Sequence, residues 1–174
     1  MNFKAKIDNA AMKKVLNKIE ELSSPIDQTT AKKLGDRIVS MMKDVVSVGS
    51  SPILGRGKFE AYRGEYRRRI QKYGYIHTDE GKVSKRLRPV NLKLTGKFLE
   101  ALKYTVKKTT NGYATTIGFF ESKNQKKEEG HRKGANGQAE RPIIPQGGEK
   151  FSTVIQNEYL DIINEKIARI TKSK

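Results

Sequence analysis

The N-terminal part of the chain carries apolar residues at the periods of one strand and two helices. Residues 3–7 alternate apolar and polar side chains, which predicts a short strand. A helix capped by Asn9 should follow, and a second helix should begin at Thr29 or Thr30 and end near Gly49. The apolar faces expected for these helices are Met12, Val15, Leu16, Ile19 and Leu22 in the first, and Leu34, Ile38, Met41, Met42 and Val45 in the second.

Regular patterning returns after residue 91. Thr95 is placed to cap a short helix, and Asn111-Gly112 between two alternating runs predicts a β-hairpin. A last helix is expected over residues 149–170. The apolar positions that define these elements are Phe98, Leu99 and Leu102 in the short helix, Tyr104, Val106, Tyr113, Thr115, Ile117 and Phe119 in the hairpin, and Phe151, Val154, Ile155, Tyr159, Ile162, Ile163, Ile167 and Ile170 in the last helix.

Two stretches lack such a period. Residues 49–90 contain six glycines and two prolines and predict a basic, Gly- and Tyr-rich loop insertion, with room for one short helix within 58–72. Residues 121–148 are largely polar and predict an extended arm or loop. The order of elements predicts a single domain over residues 1–174 of the α+β class. In it, a small antiparallel sheet packs against two longer helices, one in the N-terminal half and one C-terminal, with long basic loops.

The excess positive charge of the chain is concentrated in one of these unpatterned stretches, which suggests that the stretch has a function. The 174 residues include 36 Lys and Arg against 19 Asp and Glu, a formal charge of +17, and 35% of the residues are hydrophobic. Residues 49–90 carry 11 basic and 4 acidic groups, so they hold 11 − 4 = +7 of this excess. Such a segment suits nucleic acid, an anionic membrane surface or acidic protein neighbours, and composition does not choose among them. No run approaches the roughly 20 apolar residues of a membrane span, so no transmembrane segment is expected. The partners that we expect do not include a membrane.

The residues give little support to catalysis. The chain has no Cys and two His, which excludes thiolate nucleophiles and argues against a His-based metal site. A nuclease would need clustered carboxylates to hold its metal ion. The candidate pairs are Asp79-Glu80 beside His77 and Glu128-Glu129 near His131. Both pairs fall in predicted loops, where solvated charges are the commoner explanation. We therefore expect no enzyme, no metal and no cofactor, with a nuclease the least favoured alternative.

Residues 62–75 interleave four tyrosines with five basic side chains. Stacking rings and phosphate-pairing guanidinium groups are typical of single-strand nucleic-acid binders, and Tyr and Arg are also enriched in protein interfaces. A third interpretation is structural. In it, Tyr62, Tyr66 and Ile70 share the buried face of a helix, and the three consecutive arginines before Ile70 form its exposed face. These interpretations stay open at this point.

Several short motifs occur in an order that resembles one known family. They are residues 92–102 in the pattern Leu-x-x-Thr-Gly-x-hydrophobic-x-x-(Ser/Ala)-Leu, a hairpin ending in Ile117-Gly118-Phe119-Phe120, His131 followed by Gly134, and Arg141-Pro142-Ile143-Ile144-Pro145 before a C-terminal helix. Together with residues 52–59, they resemble the neck and tail-completion proteins of tailed bacteriophages, which include virion-morphogenesis and minor tail proteins. The basic segment 49–90 is longer than the family pattern, and Ile143-Ile144 stand where Phe-Leu is commoner.

The resemblance implies a non-enzymatic structural protein of the phage head–tail junction. Such a protein would form a ring of six or twelve copies and join the head connector to the tail. Its partners would be copies of itself, a portal or adaptor protein, and a tail-tube or tail-terminator protein. It would be made in the host cytoplasm and reside in the neck of the virion. The alternative is a non-specific DNA-binding protein that uses the Tyr/Arg segment, and contact with DNA in the channel is a second use of the same charge.

Partner contacts are expected from the basic segment and from the arm around His131. Loops suit this task because interface segments often order only when subunits assemble. The expected contact residues are Arg56, Lys58, Phe59, Tyr62, Arg63, Tyr66, Arg67, Arg68, Arg69, Lys85, Arg86, Arg88, His131, Arg132, Arg141, Ile143 and Ile144.

Overall fold

The computed structural model describes residues 13–17, 19, 26–76, 83–85, 87, 90, 92 and 97–172. The predicted strand over residues 3–7 and the predicted cap Thr95 lie outside the described residues. Residues 13–17 and 19 are helical, as their apolar spacing predicts. Their apolar side chains Val15, Leu16 and Ile19 are each more than half exposed.

Helices alternate with two antiparallel strand pairs along the described chain. In chain order the elements are α1 (Gln28–Ser47), α2 (Gly64–Tyr73), β1 (Tyr75–Ile76), β2 (Val83–Ser84), α3 (Lys97–Glu100), β3 (Leu102–Thr109), β4 (Gly112–Phe119), α4 (Ser122–Arg132), a single 3₁₀ turn (Ala135–Gly137) and α5 (Thr153–Lys172). Strand β1 pairs with β2, and β3 pairs with β4. The predicted α+β class with a small antiparallel sheet is confirmed. Within the described residues, no helix combines the length and apolar character needed to cross a bilayer.

Helix α1 supplies the central packing surface. Its N-cap is Asp27, whose carboxylate accepts a 2.7 Å hydrogen bond from the Thr30 backbone N–H. The prediction of Thr29 or Thr30 as the cap is therefore wrong, because both threonines already lie in the first turn and a charged acceptor precedes them. The helix ends at Ser47, shortly before Gly49, as predicted. Its buried residues include Ala31, Leu34, Ile38, Val39, Met42 and Val46, whereas the predicted Met41 and Val45 are half-buried.

The predicted hairpin is formed by β3 and β4. Its turn contains Thr110 and Asn111, and the register pairs Thr109 with Gly112. Because side chains alternate across a strand, one face of the hairpin points to α1 and the other to solvent. The positions predicted from the alternation (Tyr104, Val106, Tyr113, Thr115, Ile117 and Phe119) are buried or half-buried.

The hairpin approaches α1 closely at one glycine. A Cβ atom on Gly35 would lie 2.3 Å from Cδ2 of Tyr104 on β3, well inside van der Waals contact. Next to this contact, the Thr115 hydroxyl on β4 donates a 2.7 Å hydrogen bond to the carbonyl of Ala31. The aromatic ring therefore occupies the space that a side chain at residue 35 would need.

Helix α5 packs against α1 in the antiparallel direction. Three ion pairs of 2.6–2.8 Å connect the two helices, and from one pair to the next the residue numbers increase along α1 and decrease along α5. The pairs are Asp27–Lys166, Lys33–Glu165 and Arg37–Glu158. Exposed pairs of this kind contribute about 0–1 kcal/mol each, so burial of Ile155, Ile162 and Ile170 is the larger stabilising contribution.

The predicted apolar face of the last helix is partly wrong. Phe151 precedes α5 and forms a β-bridge with Ile53, while Val154 is 64% and Tyr159 40% exposed. A sequence period shows which residues share a face, but the width of that face depends on what packs against it. Similarly, Leu102 belongs to β3 rather than to the short helix α3, because the chain turns at Ala101 to pair Leu102 with Phe119.

Both stretches predicted as loops contain helices. Helix α2 agrees with the short helix predicted within 58–72. Helix α4 occupies part of the stretch 121–148, for which the sequence predicts an arm or loop, so that prediction is wrong for Ser122–Arg132. Only Asn124 and Glu128 of α4 are buried. A helix with no apolar face has no hydrophobic period by which the sequence could reveal it.

Replacing Gly35 with Ala tests the close approach of α1 to the hairpin. In a helix without this contact, Gly→Ala should stabilise by about 1 kcal/mol. Here the new methyl group would overlap the Tyr104 ring, so we expect Gly35→Ala to lower the free energy of unfolding by about 1–3 kcal/mol in urea titrations. Ser40→Ala, at an exposed position of the same helix, serves as the control and should be neutral or slightly stabilising. A stabilised Gly35→Ala variant would contradict the packing.

Candidate functional site

The first part of the basic segment folds onto the interior instead of extending into solvent. Ile53 is 2% exposed and pairs with Phe151. The following Gly-rich stretch forms a turn, and its Arg56 reaches Glu140 at 3.2 Å and Glu149 at 2.8 Å. This turn is therefore fixed to the chain that precedes α5.

Arg141 connects the basic segment to the same stretch of chain. It is 1% exposed, and its guanidinium donates to the carbonyl oxygens of Ala139 (3.1 Å), Glu60 (3.0 Å) and Ala61 (3.3 Å). Its Cζ lies 4.8 Å from the ring centroid of Tyr62. Among the described residues, no carboxylate forms an ion pair with it, and its Nε has no hydrogen-bond partner. Burial lowers the pKa of Arg141.

Further contacts hold residues 134–141 between α2 and α4. The side-chain amide of Gln138 both accepts from the Arg63 N–H (3.1 Å) and donates to the Arg63 carbonyl (2.9 Å). The Arg141 N–H donates to the His131 carbonyl at 2.7 Å. Gly134 has φ 64°, and a Cβ there would lie 2.4 Å from the backbone carbonyl oxygen of Gln138, so only glycine fits the turn.

These contacts leave a cleft of about 670 Å³ between α2 and α4, which we call the basic cleft. Its apolar surface comes from Tyr62, Tyr66, Leu92 and Phe98. Its charged lining residues within the described part of the chain are Arg69, Lys126, Lys127 and Arg141, against the acidic Glu65. None of Arg69, Lys126 and Lys127 forms an ion pair with another described residue, so these residues leave the cleft with an excess of positive charge. A cavity of this size with apolar walls and a few charged groups is typical of a binding site.

His131 lines the cleft but adds no charge at neutral pH. Its ring centroid lies 5.2 Å from that of Phe98. Burial, followed by the charges of Arg141 and Lys127, lowers the pKa of His131 to about 4. The imidazole is therefore neutral at pH 7 and becomes cationic only in acid, or when a negative group comes close.

A network of ion pairs supports α4 from the side opposite the cleft. Arg132 Nε lies 3.4 Å from Glu128, and its Nη1 donates to Glu149 at 2.9 Å. Its Nη2 donates to the carbonyl of Ile144. Arg56 completes the network through Glu149. The hydrogen bond from Arg56, together with that from Arg132, lowers the pKa of Glu149 to about 2.

The residues predicted to contact partners fall into distinct places. Tyr62, Tyr66, Arg69, His131 and Arg141 come together in the basic cleft. Arg56, Lys58, Phe59 and Arg63 surround a smaller hollow of about 340 Å³, and Arg132 and Ile144 lie on the far side of α4. Arg67, Arg68 and Lys85 are exposed outside the cleft, and Arg86 and Arg88 lie outside the described residues.

Three of these predictions need correction. Tyr62 is 7%, Arg141 1% and Ile143 0% exposed, so these side chains are internal and cannot offer a free surface to a partner. The Tyr62, Tyr66 and Ile70 face is buried or half-buried against the core, which supports the structural interpretation of that spacing. A ligand in the cleft could therefore interact with Arg141 only through its charge.

Sequence reasoning missed the cations that α4 contributes. Lys126 and Lys127 lie one turn before Gly130 and His131, so all four face α2 once the segment is helical. The sequence signal that could have revealed these cations was the spacing of four residues between Lys126 and Gly130 and between Lys127 and His131. Such a spacing indicates a helix less strongly than a hydrophobic period does.

A second, apolar groove of about 720 Å³ lies between β4, α1 and α5. Its lining includes Ile38, Ile117, Phe151, Tyr159 and Leu160. Leu160 is 53% and the neighbouring Val154 64% exposed. We call this surface the apolar groove. Contiguous exposed apolar surface marks interaction sites more often than single exposed residues do.

The candidate acidic pairs do not assemble a metal site in the described part of the chain. There, no group of three His, Asp or Glu side chains could share an ion. Glu128 is the counter-ion of Arg132, and Glu129 pairs with Lys133 at 2.6 Å. His77, Asp79 and Glu80 lie outside the described residues.

Comparisons of the chain with models of protein families, with curated proteins and with solved structures found no match.

The pKa of Glu149 makes stability depend on acid pH. Because its folded pKa of about 2 lies below the ordinary 4.5, the carboxylate stabilises the fold above pH 4.5, and that contribution is lost as the pH falls towards 2. We expect Glu149→Gln to lower the free energy of unfolding at pH 7 by about 2 kcal/mol, with a difference from the parent that narrows towards pH 2. Urea titrations across pH measure this. Glu100→Gln, at an exposed position, should show no such difference; a pH-independent loss in Glu149→Gln would contradict the network.

Proposed function

We propose that this chain is a structural protein of the head–tail junction of a tailed bacteriophage, where copies of it form a ring that joins the head connector to the tail. The order and spacing of the motifs in the sequence support this function. The observation that carries it furthest is the apolar groove, because the described residues leave this part of the hydrophobic surface of a small domain uncovered.

Ring closure requires a heterologous interface, in which one surface of a copy contacts a different surface of the next. The apolar groove supplies one such surface beside α5. Exposed apolar side chains elsewhere, such as Leu54 and Phe120, are available to fill a groove on a neighbour. Only 35% of the residues of this chain are hydrophobic, so few are available to form its core. The exposure of some of them therefore supports the proposal that they are buried in an assembly.

The position of the Arg141-Pro142-Ile143 stretch also agrees with a structural role for the motif. Arg141 and Ile143 are internal, and Ser51 donates a 2.8 Å hydrogen bond to the Pro142 carbonyl. The motif therefore holds the basic segment against the core. We expect such a structural role of a motif that members of a family share.

Charging the apolar groove tests the ring. We expect Leu160→Lys to weaken self-association by at least about tenfold without unfolding, because burial of a leucine is worth about 1.5–3 kcal/mol. Sedimentation and native mass spectrometry over a range of concentrations measure the assembly. Val48→Lys is the matched control, at an exposed valine outside the groove. A parent chain that stays monomeric at every concentration, alone and with portal or tail proteins, would refute ring formation.

Reversing the charge of α2 tests the junction itself. We expect Arg67→Glu, Arg68→Glu and Arg69→Glu together to give a folded chain that fails to join heads to tails, seen as separate heads and tails by electron microscopy. The control carries Lys32→Glu, Lys97→Glu and Lys172→Glu, which also takes the net charge from +17 to 17 − 6 = +11 at exposed positions. Infectious particles from the α2 variant, or failure of the control to the same degree, would contradict a specific role for this surface.

The second candidate function is non-specific DNA binding. It is favoured by Arg67 and Arg68, which are exposed and form no ion pair with another described residue. This function predicts that the isolated chain binds duplex or single-stranded DNA with an affinity that falls steeply with salt, in proportion to the phosphates neutralised. No binding by the monomer at low salt would exclude it while leaving the junction role intact.

A further inference from the structure

We propose that the basic cleft receives an acidic peptide segment of a neighbouring protein, in which a carboxylate side chain lies next to an aromatic or aliphatic one. This proposal deepens the junction function by naming what one of its contact sites binds. It rests on the charge, burial and shape of the cleft.

The charge balance of the cleft calls for an anion. Arg69 from α2 and Lys126 and Lys127 from α4 face the cavity with no ion pair to another described residue, and Glu65 is the one carboxyl group among the lining residues that the structure describes. Beneath them lies Arg141, a fully buried cation whose partners among the described residues are carbonyl oxygens and a ring rather than a carboxylate. A buried charge without a counter-ion is costly, so a carboxylate at the mouth gains from Arg141 as well as from the outer cations.

The walls of the cleft call for an apolar group beside that anion. The half-buried Tyr66 and the exposed Ala135 line the cavity together with the cations, and Leu92 and Phe98 close it from below at 4% and 6% exposure. A bare inorganic anion would leave the Tyr66 and Ala135 surface in contact with water. A peptide that carries an apolar side chain next to its carboxylate would cover it and gain about 25 cal/mol for each Å² of apolar surface buried.

The same geometry disfavours nucleic acid at this cleft. The phosphates of a duplex lie on a convex surface and do not enter a recess between two helices. Single strands bind by stacking bases on open rings. Here the Tyr62 ring is 7% exposed, covered by Arg141 on one side, and lies 4.9 Å from the Tyr66 ring. No free aromatic face remains between Tyr62 and Tyr66 for a base to occupy.

Binding of short synthetic peptides to the purified chain tests the proposal. The probe is a peptide blocked at both ends that contains phenylalanine followed by two glutamates. Two matched peptides replace the glutamates by glutamine or the phenylalanine by alanine. We expect calorimetry at low salt to detect the probe, and we expect each matched peptide to bind at least about fivefold more weakly. Equal binding of the glutamine peptide would overturn the proposal, as would tighter binding of oligothymidylate at the same cleft.

Paired variants of the chain locate the site. Arg69→Gln with Lys127→Gln removes two cations that line the cleft, and we expect the probe to bind about tenfold more weakly. Arg67→Gln with Lys123→Gln removes one exposed cation from each of the same two helices outside the cleft, and should change affinity less than twofold. Equal losses in the two pairs would mean that the probe responds to net charge alone, and the proposal would be wrong.

His131 provides a readout inside the cleft. The charged and titratable groups that face it are Glu65, Tyr66 and Arg69 from α2, Lys126 and Lys127 from α4, and Arg141. A carboxylate seated among them favours the imidazolium form. In NMR titrations of a His77→Gln chain, we expect the pKa of His131 to rise from about 4 when the probe is saturating. An unchanged pKa with the probe bound would place the peptide elsewhere and overturn the assignment. None of these outcomes depends on ring formation or on head–tail joining, so the two proposals can fail separately.

Discussion

The rest of the fold depends on how closely α1 can approach the β3–β4 hairpin. Gly35 leaves room for the Tyr104 ring directly against the helix backbone, and Thr115 bonds to the Ala31 carbonyl beside it. With the hairpin held in this position, Phe119 at its far end stacks on Phe98 at 4.6 Å. The contact between those rings orients α3 and the start of α4, and therefore one wall of the basic cleft.

Arg141 fixes the opposite wall. It draws the carbonyl groups of Glu60 and Ala61 onto a buried guanidinium, which holds the start of α2 against the chain that follows α4. Such a cation stabilises the fold only while its carbonyl partners stay in place, because a buried charge that loses its hydrogen bonds is strongly unfavourable. The consequence for function is direct. The residue that closes the basic segment onto the core also adds a positive charge beneath a surface cleft, and no carboxylate of the described residues pairs with it.

Much of the architecture could be predicted because its signals are local. The hairpin turn at Thr110-Asn111, one residue before the predicted Asn-Gly pair, the alternation on β3 and β4, and the apolar period of α1 each depend on residues that are neighbours in sequence. Helix α4 could not be found in this way, since it buries Asn124 and Glu128 through polar contacts rather than an apolar face. The capping by Asp27 had a local signal, since aspartate is a preferred N-cap and its carboxylate accepts from the Thr30 N–H three residues later, but the two neighbouring threonines offered the same signal. Only the tertiary structure adds the second contact of this carboxylate, with Lys166 on α5.

The sequence by itself determined the α+β class, the principal helices, the hairpin and the concentration of positive charge in residues 49–90. Only the tertiary structure decided which of those charges act together. Arg69, Lys126 and Arg141 come from three separate segments, and their meeting depends on how α2 and α4 pack around the intervening chain. Burial is decided in the same way, because a tyrosine or arginine looks the same in sequence whether it is internal, like Tyr62 and Arg141, or open to a partner. Long-range packing determines both properties, and no local pattern encodes it.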